Sequence, residues 1–355
     1  MRANSLYLYC IVLLFSCNDF TTTESKKSES VLSRTDTAKD KSSIPESTLI
    51  NSAEKIKEID FSRIPVRLSH KINTSANEAY PLLDKSGEKI IFSGMDRTGF
   101  FDYKLDFIKS SNCGGEDIFI SDYNDGIWSD ARPISFLNTN AHECATHILG
   151  DGSLIISGSY DENIGFTDNP DVNTTDIFKA EITPDGYRVQ HYDEPINSMY
   201  TEGDGYLFND KFMIFISDRP DCIGSYHKKG WYWEDNYWGN TDVWVSEYSN
   251  YMWNEPINLG PIVNTPGAER SPWISDDGLT LYVSSNGFDS SKNDLDIYMF
   301  KREDINNWQE WDGPYKVVDA CSDYDDWGYK IHPKKGAYFS RSLILPFKTS
   351  SPVRA

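Results

Sequence analysis

The chain has 355 residues, enough for a large core, and 14% of them are aromatic. Helix-period patterns are scarce, which favours an all-β domain. Its 34 basic residues face 55 acidic ones, a formal charge of −21, so the basic footprint of a nucleic-acid binder is missing and no nucleic-acid partner is expected.

Arg2 precedes an apolar run from Leu6 to Phe15. That run has the length of a secretion-signal core and is too short to span a bilayer comfortably. It ends in Leu14-Phe15-Ser16-Cys17, which resembles the bacterial lipobox, whose cysteine is lipidated and becomes the first residue. The expectation is a lipoprotein signal peptide over residues 1–16 and an anchor at Cys17. An ordinary secretion signal is the alternative, and either one exports the protein. Residues 17–58 are polar and poor in aromatics, the composition of a flexible tether. About 40 such residues reach on the order of 35 Å. A helical turn over residues 53–59 is also compatible with the sequence.

From residue 59 onward a repeat takes over. Its best copy runs from Leu259 to Phe300. Asn264-Thr265 leads to Glu269, and an apolar run then meets the turn Asp276-Asp277-Gly278. A β-rich run over Leu279 to Ser284 follows, and a polar loop leads to Asp296-Ile297-Tyr298. An Asp-Gly turn between β-rich runs signals a hairpin. The first unit repeats this with Asn73-Thr74, Glu78, a turn at Asp84 to Gly87, a strand from Lys89 to Ser93, and Asp117-Ile118-Phe119. The second has Asn138-Thr139, Glu143, Leu154 to Ser157 and Asp176-Ile177-Phe178. The third has Glu202, Phe212 to Ser217 and Asp242-Val243-Trp244. A fifth unit begins at Asp325-Asp326 and reaches Tyr338 to Ser340, with no recognisable Asp-Ile-Tyr element after it.

Short-stranded units that cannot bury both faces alone stack radially as propeller blades. The repeat resembles the TolB-like, WD-like β-propeller family over most of the mature chain. The resemblance implies an exported bacterial protein, often a lipoprotein, sometimes fused to a peptidoglycan-binding domain that is not legible here. The expected fold is an all-β propeller of four-stranded antiparallel blades over residues 59–355. Five blades are favoured and six are possible. Residues 64–68 would complete the last blade, and residues 343–348 would have to supply another of its strands.

Four features carry possible chemistry. The recurring acids Glu78, Glu143, Glu202 and Glu269, with Asp325 or Asp326, would gather near one channel mouth. There they could hold a cation or, as a symmetric repeat favours, serve the architecture. Trp231, Tyr232, Trp233, Tyr237 and Trp238 sit in one inserted loop and suit a sugar ring or a protein partner. Asp161 to Asp176 is rich in Asp and Asn but fails the EF-hand pattern, so calcium is only a weak possibility and no cofactor is expected. His142 and His147 are five apart on an expected strand and so face opposite ways, unlike a zinc-protease pair. Cys113, Cys144, Cys222 and Cys321 could form two disulfides or simply pack.

No nucleophile elbow, P-loop or dinucleotide fingerprint occurs. The leading expectation is a non-catalytic, lipid-anchored envelope scaffold for a protein or peptidoglycan-associated partner, on the periplasmic face or cell surface. The alternative is a carbohydrate-active propeller, either a lectin or a glycoside hydrolase.

Overall fold

The computed structural model describes residues 56–74, 77–95, 116–139, 142–164, 174–224, 241–289 and 294–342, and the backbone of 10–15. Ahead of the repeat lie β1 (Cys10–Phe15), β2 (Lys57–Ile59) and β3 (Pro65–Arg67). The first unit supplies β4 (Asn77–Leu83), β5 (Lys89–Met95) and β6 (Asp117–Asn124), then the short pieces β7 (Ile127–Trp128) and β8 (Arg132–Pro133). The second supplies β9 (Glu143–Ile148), β10 (Leu154–Gly158), β11 (Asp176–Thr183) and β12 (Gly186–His191). The third supplies β13 (Glu202–Phe208), β14 (Phe212–Ser217), β15 (Asp242–Ser249), β16 (Met252–Trp253) and β17 (Ile257–Asn258). The fourth supplies β18 (Glu269–Ile274), β19 (Thr280–Ser285), β20 (Asp296–Lys301) and β21 (Asp312–Val317). Last come β22 (Asp326–His332) and β23 (Gly336–Ser342).

These strands form an all-β propeller arrangement. Four sheets come from consecutive stretches of chain, one per unit, and a further sheet joins both ends in the order β22-β23-β1-β3. The expected third strands begin at Asp117, Asp176, Asp242 and Asp296, as the repeat requires. The expectation of uniform four-stranded antiparallel sheets needs correction. In the first and third units the outer strand is broken in two, so β6 pairs with both β7 and β8, and β15 with both β16 and β17. The break falls where a third-strand serine takes an outer-strand carbonyl: Ser121 Oγ to Ser129 O at 2.7 Å, and Ser246 Oγ to Asn254 O at 2.5 Å. In the fourth unit β2 adds a parallel strand outside β21. The segment that allowed a helical turn is therefore partly strand, and it begins inside the expected tether. Residues 10–15, expected in the leader, lie between β23 and β3. Residues 343–348 lie outside the described residues.

Packing between sheets explains why the second strands read as unbroken apolar runs. On β10, Leu154 and Ile156 face the first unit, where they meet Ile91 and Ile118. Ile155 faces the other way, to Met213 and Phe215 of the third unit. Strand alternation thus serves two cores at once. The closing sheet packs Tyr338 against Phe92 and Phe119 of the first unit. Tyr338 Oη also accepts the Leu83 N–H at 3.3 Å, and His332 Nε2 lies 3.0 Å from Asp84 O.

The repeated lead-in has a mechanical reason. Asn138, Asn197 and Asn264 each accept an N–H and donate to the carbonyl of the second residue of a third strand, extending the ladder with a side-chain amide. The next residue, a hydroxyl, bonds the acid four positions on: Thr74 to Glu78, Thr139 to Glu143, Ser198 to Glu202, Thr265 to Glu269. Three of these acids also reach the preceding sheet through their own N–H: Glu143 N to Glu116 O at 3.0 Å, Glu202 N to Thr175 O at 2.8 Å and Glu269 N to Thr241 O at 2.8 Å.

Candidate functional site

Those acids are shut away from the channel: Glu78, Glu143, Glu202, Glu269 and Asp326 are all 0% exposed. They do not form an open acidic ring at a channel mouth, because each carboxylate turns onto its own lead-in. Glu202 takes Ser198 N and Oγ, Ser217 Oγ at 2.7 Å and Arg219 Nη2 at 2.9 Å. Burial still pushes it up to about 7. In the last unit the equivalent acid is Asp326 and not Asp325. Ser322 stands four residues before Asp326 and donates to it at 2.8 Å, whereas Asp325 accepts Leu295 N from the fourth sheet. The common hydroxyl-to-acid spacing could have settled this from the sequence.

The inner strands β4, β9, β13, β18 and β22 all lose register just after these acids. At the resulting bulges Tyr80, Asp204, Ser271 and Gly328 take positive φ of 51°, 51°, 49° and 70°. For the three non-glycine residues that costs on the order of 1–2 kcal/mol each. Bulges re-aim side chains, and strain of this kind gathers at functional places. Around these bulges the chain stops repeating: the residues after each acid include Tyr80, Cys144, Asp204, Arg270 and, further in, Lys330.

They form one cluster on the axis. Arg270 Nε donates to Asp204 Oδ2 at 2.8 Å, and Ser271 N donates to the same oxygen at 2.8 Å. Arg270 Nη2 donates to Tyr80 Oη at 2.7 Å. Tyr80 is in the first unit and Arg270 in the fourth, which are not neighbours in the ring, so this contact crosses the axis. Glu116 stands just before β6, where the next two units have Thr175 and Thr241. Those threonines use their hydroxyls to brace the following sheet. Glu116 instead turns Oε2 to His142 Nδ1 at 3.3 Å, and its side chain keeps 12% exposure.

Electrostatics separates the two carboxyls. Burial raises Asp204, but the Arg270 charge, its hydrogen bond and the Ser271 N–H outweigh burial and hold the group below the ordinary carboxylate range. Burial raises Glu116, and His142 and Arg270 offset this only in part. The Asp204 charge adds to the rise in Glu116. Burial pushes Tyr80 and Cys144 up, and Lys330 down to about 8. His147 packs against Tyr206 with ring centroids 4.1 Å apart and planes tilted by 45°, and burial, then the Lys330 charge, pushes it down to about 3. His142 and His147 thus serve different contacts and share no ligand position.

The expected aromatic site, Trp231 to Trp238, lies outside the described residues, as do Cys17 and the Asp/Asn stretch between residues 165 and 173. Among the described residues no three His, Cys, Asp or Glu side chains are grouped to hold a metal ion. Cys144, Cys222 and Cys321 are free thiols, and Cys321 substitutes for the lead-in asparagine by taking Ile297 N at 3.3 Å.

No protein-family profile matches the chain, and no curated protein matches it. Among solved structures it is similar to an endo-arabinase from Bacteroides thetaiotaomicron, at 13% identity over 77% of this chain and 94% of that one, TM-score 0.43. An inulosucrase from Halalkalicoccus jeotgali bound to kestose matches at 14% identity over 80% and 78%, TM-score 0.41. A puromycin-hydrolysing peptidase from Mycobacterium tuberculosis matches at 10% identity over 81% of this chain and 47% of that one, TM-score 0.35.

Proposed function

We propose that this chain is a carbohydrate-active propeller that cleaves a glycosidic bond at its axis, with Glu116 as proton donor and Asp204 as the ionised partner. One observation carries the reading: the axial cluster of Tyr80, Glu116, Asp204 and Arg270 is charged, largely buried and present once, while every acid that recurs is consumed by the architecture. Glycoside cleavage uses two carboxyls whose environments drive them apart, one protonated and one ionised. Asp204 Oδ2 is engaged by Arg270 and Ser271, which leaves Oδ1 with only a 3.4 Å contact from Arg270 and therefore free to face a sugar. The test is a reducing-sugar assay of the wild type, Glu116→Gln and Asp204→Asn across neutral and acidic polysaccharides. Activity lost in both variants while their folds persist supports the reading. Wild-type activity undiminished in either variant, or absent on every glycan, sinks it.

A second reading is a scaffold for an envelope protein. It is favoured by the hairpin tip between β15 and β16, where Tyr251 is 96% and Met252 62% exposed. Capture of a specific envelope protein, lost on Tyr251→Ser, would support it. The family likeness and anchoring at Cys17 belong to our proposal as well. Removal of a leader would take β1 out of the closing sheet, so the processed lipoprotein and the β1-closed ring cannot be the same species. Lipid labelling of the wild type but not of Cys17→Ala, with the mass of the mature chain, decides between them.

A further inference from the structure

We infer that the axial site takes an anionic sugar, a carboxylated or sulfated unit whose negative group is bound by Lys330 beside Arg270. This deepens the reading above and rests on it for the location of the site.

The first observation is a cation left over. Arg219 pairs with Glu202, Arg270 with Asp204, Lys316 with Asp296 and Arg341 with Asp326. Lys330 is as buried as these, at 5% exposure, yet among the described residues its Nζ has no hydrogen-bond or ion-pair partner. A largely desolvated ammonium without an acceptor is costly, and its Nζ is not among the sealed, partnerless polar atoms of the described residues, so the amine tip keeps an opening through which an acceptor can reach it. An incoming carboxylate or sulfate oxygen supplies the missing acceptor.

The second observation is where the amine points. Lys330 stands on β22, and Nζ lies 3.9 Å from where a side chain on Gly328 would begin. Its charge helps hold Asp204 down and pushes His147 down, after burial and other causes that act first in each. Those residues belong to the third and second units, across the ring from the closing sheet. The amine therefore lies close enough to Asp204, Cys144 and His147 for their charges to be felt across the ring. Gly328, the bulge residue on its own strand, carries no side chain to block the approach.

The third is charge balance. The chain as a whole carries −21, so its surface repels anions. At the axis two cations, Arg270 and Lys330, face one ionised Asp204, while Glu116 is biased toward its neutral form. The axis is thus a local positive spot in an acidic protein, and an anionic sugar is the ligand that resolves it.

The test titrates the full chain with an oligouronate, a sulfated oligosaccharide, the neutral oligosaccharide of the same length, and free acetate and sulfate. The wild type should bind one charged sugar at least tenfold more tightly than the neutral one, and the uronate and sulfated arms identify the source of the charge. Lys330→Met should lose that preference while its melting temperature stays level or rises. Equal affinity for charged and neutral sugars, a preference retained in Lys330→Met, or binding of the free ions alone overturns the inference. Binding of the charged sugar without cleavage leaves the inference standing and removes the hydrolytic reading. Cleavage of a neutral glycan without preference does the reverse.

Discussion

Glu143 offers a sharp test of how the repeated acids act. Its side chain is 0% exposed, and it takes the Thr139 hydroxyl. Its equivalent Glu202 has Arg219 and Ser217 as well, but Glu143 has no such cation, and its Oε2 has no hydrogen-bond partner among the described residues. Burial accordingly pushes it from 4.5 up to about 8. A pKa raised on folding means that the native state favours the protonated acid. The stabilisation is complete below the ordinary value and is lost as pH climbs through about 8. At ~1.4 kcal/mol per unit, linkage assigns roughly 3–4 kcal/mol of lost stability between about pH 5 and pH 8 to this one group. Glutamine mimics the neutral acid and removes that contribution. The assay is urea unfolding of wild type and Glu143→Gln at a series of pH values. Glu202, Asp242 and Asp326, each raised to about 7 by burial, give both proteins a common background slope. The variant should match the wild type or fall below it at about pH 5 and be the more stable protein at about pH 8. Parallel curves would show that Glu143 is already ionised in the native state, and the burial argument would fail.

Three further outcomes follow. Arg270→Met removes the charge paired with Asp204 and leaves Ser271 N and the weaker influence of Lys330 against its charge, so unfolding free energy should fall by about 3–5 kcal/mol, and adding Asp204→Asn should restore part of it, as denaturant titration will read. Gly278 has φ +72°, and a Cβ there would lie 2.8 Å from Phe208 Cζ and 3.0 Å from Ile305 Cδ1. Gly278→Ala should therefore lower stability by roughly 1–2 kcal/mol, and an unchanged melting temperature would show that the turn relaxes. Because Cys144, Cys222 and Cys321 are free thiols, reductant should leave the melting temperature unchanged, and all three should label with a maleimide once the chain is unfolded.

Much of the architecture was legible because it repeats. Asp117, Asp176, Asp242 and Asp296 open their strands where the motif put them, and the β14 run from Phe212 to Ser217 has the expected bounds. What escaped was whatever the repeat does not encode locally. The outer strand splits at Ser129 because a third-strand serine takes its carbonyl, and no pattern in so short a strand announces that. β2 pairs in parallel with a strand more than 250 residues away, through Lys57 beside Asp312 and Tyr315, and a polar segment gives no sign of such a partner.

The site was missed for the opposite reason. The shared acids are already expected to serve the architecture, since a carboxylate needed in each unit is one that holds a lead-in to a strand, and the expected binding residues lie in the inserted loop at Trp231 to Trp238. The informative comparison lies one and two places beyond each acid, where Ala79-Tyr80, Cys144-Ala145, Gly203-Asp204, Arg270-Ser271 and Trp327-Gly328 stand at or just before the bulge with unlike chemistry. The bulge itself is what makes those differences matter. An ordinary strand would return each side chain to the core between sheets, on its alternate face. The extra residue breaks that alternation, so Asp204, Arg270 and Tyr80 meet across the axis from three different sheets. On the function proposed above, strained backbone at Tyr80, Asp204 and Ser271 is the cost of converting a repeated scaffold into one asymmetric cluster, where the repeat keeps its shape and breaks its chemistry.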